Sequence, residues 1–131
     1  MPLTVEQHLK GARDNLAFAD QLRAVANQDV CVIRWAITAL FYSAVHAVRG
    51  YLVARHGVTV ISHQQMRDLE RDHPELMKTK VDYDQLKQQS HTARYYLSNR
   101  FTWADFDVLR SRAERVLRHW SIVVSKSQPR P

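Results

Sequence analysis

The chain has 131 residues, 45% of them hydrophobic, with 3 glycines and 4 prolines; this fits one globular domain and excludes a loop-rich or low-complexity chain. Its formal net charge is +6 and 14 of its 19 basic residues are arginine, a balance that favours nucleic acid or an acidic partner over a neutral small molecule. The single cysteine, Cys31, excludes an internal disulfide and a cysteine metal site; lying in an apolar run, it reads as a small core residue of an intracellular, cytoplasmic protein.

Met1–Lys10 is polar and carries no signal-peptide pattern. Thr4 and Gln7 have capping-box spacing, and Leu9, Ala12, Leu16, Ala19, Leu22 and Ala26 follow at helical intervals, so a first helix is predicted over residues 4–27. A second runs from near Asp29 to Gly57, whose glycine is a natural C-terminal cap. Residues 30–54 are apolar almost all round, which marks a buried central helix. Arg34, His46 and Arg49 inside that run make a membrane span expensive, so a soluble chain without membrane contact is expected.

One polar line crosses this helix. Arg34, Thr38, Tyr42, His46 and Arg49 step by three or four residues and project from one side. An unpaired buried polar group costs about 1–3 kcal/mol, so the line needs an internal network or a site. Arg34 reads as a dimer or ion-pair partner, with phosphate binding as the alternative; Asp29 is not at helical spacing from it, so its partner comes from elsewhere. His46 reads as a core histidine bonded to a neighbour. The functional alternative is a cleft lined by Tyr42, His46 and Arg49 that faces His91 and Arg94.

Ser62 and Gln65 open a short helix to about residue 71, with His63 helping to cap or fix the loop, and Asp72-His-Pro74 ends it. Asp82 is expected to cap a third long helix over residues 82–99, with Leu86, Ser90, Ala93 and Leu97 inward. Thr102 and Asp105 cap the last, with Phe106, Leu109, Ala113, Val116, Leu117, Trp120 and Val123 inward. The predicted fold is all-α: an antiparallel four-helix bundle with a short extra helix between helices 2 and 3, spanning residues 1–124, before a disordered tail at 125–131.

His91, Arg94, Tyr95 and Tyr96 combine a phosphate contact with stacking surfaces, the mixture that binds single-stranded RNA. Tyr95 and Tyr96 packing between helices is the structural alternative. Arg112, Arg115 and Arg118, with Arg110 nearby, form a basic ridge that reads as a solvated face or, alternatively, as a partner patch. His91 with Asp82 or Asp84 makes no recognisable zinc spacing and no HExxH occurs, so neither metal nor cofactor is expected.

The stretch Ala39-Leu-Phe-Tyr-Ser-Ala-Val-His-Ala-Val-Arg49, the Gly57 break, Ser62-His63, Ala93-Arg-Tyr95 and Phe101-Thr102 follow one another as in the HEPN superfamily, which the chain resembles over roughly residues 29–120. The resemblance implies a homodimer in a toxin–antitoxin or defence module, paired with a nucleotidyltransferase-type partner. It also implies metal-independent RNA cleavage by an arginine and a histidine with four to six residues between them. Here Arg94 lies in the family's region, but Asn99, Arg100 and Phe101 occupy the histidine positions. Arg49/His56, Arg67/His73 and Arg112/His119 have the spacing elsewhere, as chance allows in a chain this rich in both residues. The reading that follows is RNA binding or weak endoribonuclease activity through a degenerate cluster of Arg94, His91 and His46. Arg49, Tyr95 and Arg100 would touch RNA. The alternatives are a non-catalytic homodimeric interaction protein, or a nucleotide pocket around Tyr42, His46 and Arg94.

Overall fold

Thr4 and Gln7 cap the first helix reciprocally: Thr4 Oγ1 accepts from Gln7 N at 3.1 Å and Gln7 Oε1 from Thr4 N at 2.9 Å. In the computed structural model, which describes residues 2–25, 27–60 and 62–127, this helix is α1, Val5–Val25. Asp29 caps α2, Val30–His56, by accepting from Cys31 N at 2.9 Å. Gly57 ends it in the left-handed conformation at φ 64°, where a side chain would be strained. Ser62 accepts from Gln65 N at the start of α3, His63–Asp72, and Pro74 begins a 3-10 turn over Pro74–Lys78. α4 is Lys80–Tyr95, and α5, Trp103–Ser127, opens on a second reciprocal cap between Thr102 and Asp105. Among the described residues the chain is helical with no strand.

The apolarity of α2 is explained by what surrounds it: α1, α5 and α4 all pack on it. It is long and apolar enough to cross a membrane, yet 67% of its most apolar window is buried inside the fold. Small residues hold α1 close. Ser43 Oγ donates to the Ala12 carbonyl at 2.7 Å, and a Cβ at Gly50 would stand 3.2 Å from His8 Cβ. On the opposite flank Trp120 stacks on Tyr51 with ring centroids 4.3 Å apart and donates to Thr79 Oγ1 at 2.9 Å, joining α5, α2 and the start of α4. Trp103 Nε1 donates to the Asn27 carbonyl at 2.7 Å, pinning the start of α5 to the α1–α2 connection.

Several expectations are corrected. α4 begins before Asp82, which is not its cap but the acceptor for Arg112 and Arg115 of α5. α4 also stops at Tyr95, so Leu97 leaves the core and is 78% exposed. Cys31 is exposed on the first turn of α2 instead of buried. Near the end of α5 the buried valine is Val124, with the expected Val123 only partly covered. The helix takes in Ser125–Ser127; Ala26 and the remainder of the expected tail lie outside the described residues.

Candidate nucleic-acid interface

The polar line on α2 divides into two functions. At its N-terminal end Arg34 is buried and donates to the backbone carbonyls of Ala93, Tyr96, Leu97 and Asn99. The last carbonyls of a helix lack intrahelical partners and carry partial negative charge, so a guanidinium is well matched to them. Arg34 is therefore neither an ion-pair partner nor a phosphate ligand: its partners are the carbonyl of Ala93 in the last turn of α4 and those of Tyr96, Leu97 and Asn99 just beyond it. Thr38 Oγ1 donates to the Arg34 carbonyl at 2.9 Å and is satisfied within α2.

About two turns beyond Thr38, His46 turns toward α1. Its Nδ1 lies 3.1 Å from Nδ1 of His8, a hydrogen bond in which one ring donates and the other accepts. A Cβ on Gly11 would sit 3.2 Å from the His46 ring, so glycine leaves the room this pair needs. Burial lowers the pKa of His8, aided by His46 and Arg49; burial and then Arg49 lower that of His46. The unfolded chain thus takes up protons below about pH 6.5 before the folded one does. Stability from this pair is fully present above that pH and is lost on acidification. Thermal unfolding is expected to show Tm falling from pH 7.5 to 5.0, and a His8→Asn, His46→Asn double variant flattens the fall. An unchanged slope in that variant would remove the pair from the account; His63 and His119, also lowered by burial, supply the residual slope.

Tyr42, His46 and Arg49 line a cleft of about 280 Å³ with Ser62 and His63 from the start of α3 and Arg94 from the last turn of α4. Arg94 Nη1 donates to Tyr42 Oη at 3.0 Å, and its guanidinium lies 5.9 Å from the Tyr42 ring centre and 5.5 Å from that of Tyr95. Arg94 Nε is shut off from solvent without a hydrogen-bond partner. No carboxylate lines the cleft, and neither Arg49 nor Arg94 has a salt bridge among the described residues. The pKa of His63 is lowered, by burial first, then by the positive charge of Lys87, Arg49, Arg67 and Arg94. The cleft wall also holds Tyr83, whose phenol is pushed up to about 12 by burial and does not ionise near neutrality.

Arg94 and His63 also face a larger, open groove of about 1030 Å³ that contains His91, Tyr95 and Tyr96. The His91 ring packs on both tyrosines, at 4.8 and 5.9 Å between centroids. Lys80 bridges Glu70 near the end of α3 and Asp84 of α4, both at 2.7 Å, a side-chain tie between the two helices.

The structure thus gathers Arg49, His46, Arg94, His91 and Tyr95 around two adjoining depressions. It leaves Arg100 elsewhere, in a groove with Gln85, Gln89 and Arg112. The α5 ridge is not a free basic patch. Arg112 and Arg115 engage Asp82, Arg110 engages Asp20 and Glu114, and Arg118 engages Glu114. His8 and the cleft position of His63 were not anticipated; the signal for His8 was its place four residues before Ala12, on the stripe that ends at Ala19. No protein-family model, curated protein or solved structure matches the chain.

Proposed function

We propose that the chain is a HEPN-like four-helix bundle of α1, α2, α4 and α5, with α3 as the extra helix, and that a homodimer of it binds single-stranded RNA around Arg49 and Arg94. The observation that carries this reading is a pair of arginines without carboxylate partners in one cleft, in a chain whose α5 arginines are ion-paired. Tyr95 and Tyr96 beside Arg94 offer faces on which unstacked bases can lie. Trp35, 59% exposed, lines an apolar groove with Cys31, Tyr95 and Leu97 next to Arg94. A second copy covering that surface would bring two clefts together. The setting that fits is a cytoplasmic toxin–antitoxin or defence module with a nucleotidyltransferase-type partner.

The chemistry proposed for the cleft is weak metal-independent cleavage. Neutral His63 takes the 2′-hydroxyl proton, and the 2′-oxygen bonds to the adjacent phosphorus. Arg49 and Arg94 balance the extra negative charge as the bond to the 5′-oxygen breaks. That oxygen leaves with a proton from water or from His91, giving a 2′,3′-cyclic phosphate and a free 5′-hydroxyl. His46, already bonded to His8, is left with a structural role. A second reading, RNA or partner binding without catalysis, is favoured by the absence of histidine from positions 99–101.

The test incubates the purified full chain with end-labelled single-stranded RNA in excess chelator, beside Arg94→Ala and His63→Ala. Cleavage to cyclic-phosphate ends, at least tenfold slower in both variants, is expected from the first reading. Binding without cleavage moves the conclusion to the second, and a folded protein that neither binds nor cleaves overturns RNA as the ligand in both.

A further inference from the structure

At the far end of α2, about two helical turns beyond Arg49, three side chains from three separate segments converge. His56 closes α2, His73 follows α3, and Glu75 lies in the 3-10 turn. One carboxylate oxygen, Glu75 Oε1, stands 3.5 Å from His56 Nε2 and 3.4 Å from His73 Nδ1. One donor atom from each residue falls within 4.8 Å of the other two. Neither contact is a hydrogen bond: Glu75 Oε1 and His56 Nε2 are both shut off from solvent without a hydrogen-bond partner among the described residues.

A simple imidazolium–carboxylate pair accounts poorly for this. Both histidines address the same oxygen, and their rings are stacked with centroids 3.9 Å apart, so charging both would put two cations face to face. A metal ion satisfies all three at once. A tetrahedral shell with bonds of about 2.0–2.1 Å spaces its donors about 3.3 Å apart, close to the two observed separations. Two imidazoles and one carboxylate, with a fourth position for water, are a donor set suited to Zn²⁺ and unsuited to Mg²⁺ or Ca²⁺, which take oxygen shells. We propose that His56, His73 and Glu75 form a binding site for a transition-metal dication of the Zn²⁺ type, tying the end of α2 to the α3–α4 connection. The site is separate from the arginine cleft and does not depend on the RNA reading.

The full chain, freed of metal by dialysis against chelator, is titrated with Zn²⁺ by calorimetry and with Co²⁺ by visible absorption. One equivalent is expected to bind, with the absorption of four-coordinate cobalt and a rise in Tm, because metal held only by the folded state stabilises it. His73→Ala and Glu75→Gln should each weaken binding at least tenfold while circular dichroism stays helical. These two are the primary variants because the His56 ring also packs edge-on against Tyr51, so its removal tests packing as well as binding. No binding by the wild-type chain, or unchanged affinity in both variants from metal held at other histidines, overturns the proposal. Should either variant fail to fold, octahedral cobalt absorption in the wild-type chain would overturn it equally.

Discussion

Arg34→Met is expected to cost about 3 kcal/mol, more than any surface substitution in this chain, because it removes the charged donor from four backbone carbonyls at once. The methionine keeps most of the buried stem, so the loss reports the guanidinium and not a cavity. Each hydrogen bond to a charged group contributes about 1.5–3 kcal/mol, but the carbonyls of exposed Leu97 and Asn99 regain water when freed, which holds the sum well below four full contributions. At roughly 2–8 °C per kcal/mol for a chain of this size, Tm should fall by about 6 °C or more. Arg34→Lys is expected to fall between, since an ammonium on one stem cannot reach carbonyls spread from Ala93 to Asn99. Arg118→Ala is the control: its side chain is 70% exposed and its pairing with Glu114 should contribute less than about 1 kcal/mol. Amide exchange should localise the Arg34 effect to the end of α4. A Tm within 3 °C of wild type would mean that water replaces the guanidinium without loss.

Arg34 also marks the boundary of what the sequence could disclose. The caps at Thr4, Asp29, Ser62 and Thr102 are local events, each complete within four residues, and they could be read directly. So could the buried character of α2, because apolar residues all round a helix leave no face for water. The carbonyls that Arg34 serves lie some sixty positions along the chain and carry no side-chain signature, so an ion pair was the natural expectation. α4 ends at Tyr95 and the carbonyls just beyond it turn to that guanidinium, so the apolar period does not continue to Leu97. Asp82 misled for a related reason: aspartate near a helix start resembles a cap, but here two arginines of α5 compete for it and hold its carboxyl below the usual range, Arg115 most strongly. The ridge on α5 looked cationic because its acidic partners come from α1, α4 and one turn along α5 itself. For the cleft, Tyr42, His46, Arg49 and Arg94 were visible as helix-face residues. His63 was legible as the residue after the Ser62 cap but not as a cleft residue, because which side chains face it across α2 and α4 is a tertiary matter.

The same division between paired and unpaired arginines makes the RNA reading sharp. Single-stranded RNA binding should weaken roughly tenfold on Arg49→Ala and again on Arg94→Ala, since a hydrogen bond to a charged group contributes at least about 1.5 kcal/mol. The two side chains line one cleft, so the double variant is expected near a hundredfold, less whatever coupling the shared phosphate introduces. Salt dependence separates this from a loss of fold. Each phosphate neutralised on a single strand contributes about 0.7 to the slope of log affinity against log salt, so the double variant, which vacates the shared phosphate, should lower the slope by about 0.7. Tyr95→Ala should reduce affinity through lost stacking while leaving the slope unchanged, because no charge is removed. Arg115→Ala and Arg118→Ala supply the decisive contrast. Their guanidiniums are engaged by Asp82 and Glu114, so their removal should alter affinity less than twofold. Equal losses from the α5 and cleft variants would show that RNA responds only to the overall positive charge, and the cleft would lose its claim as the binding site.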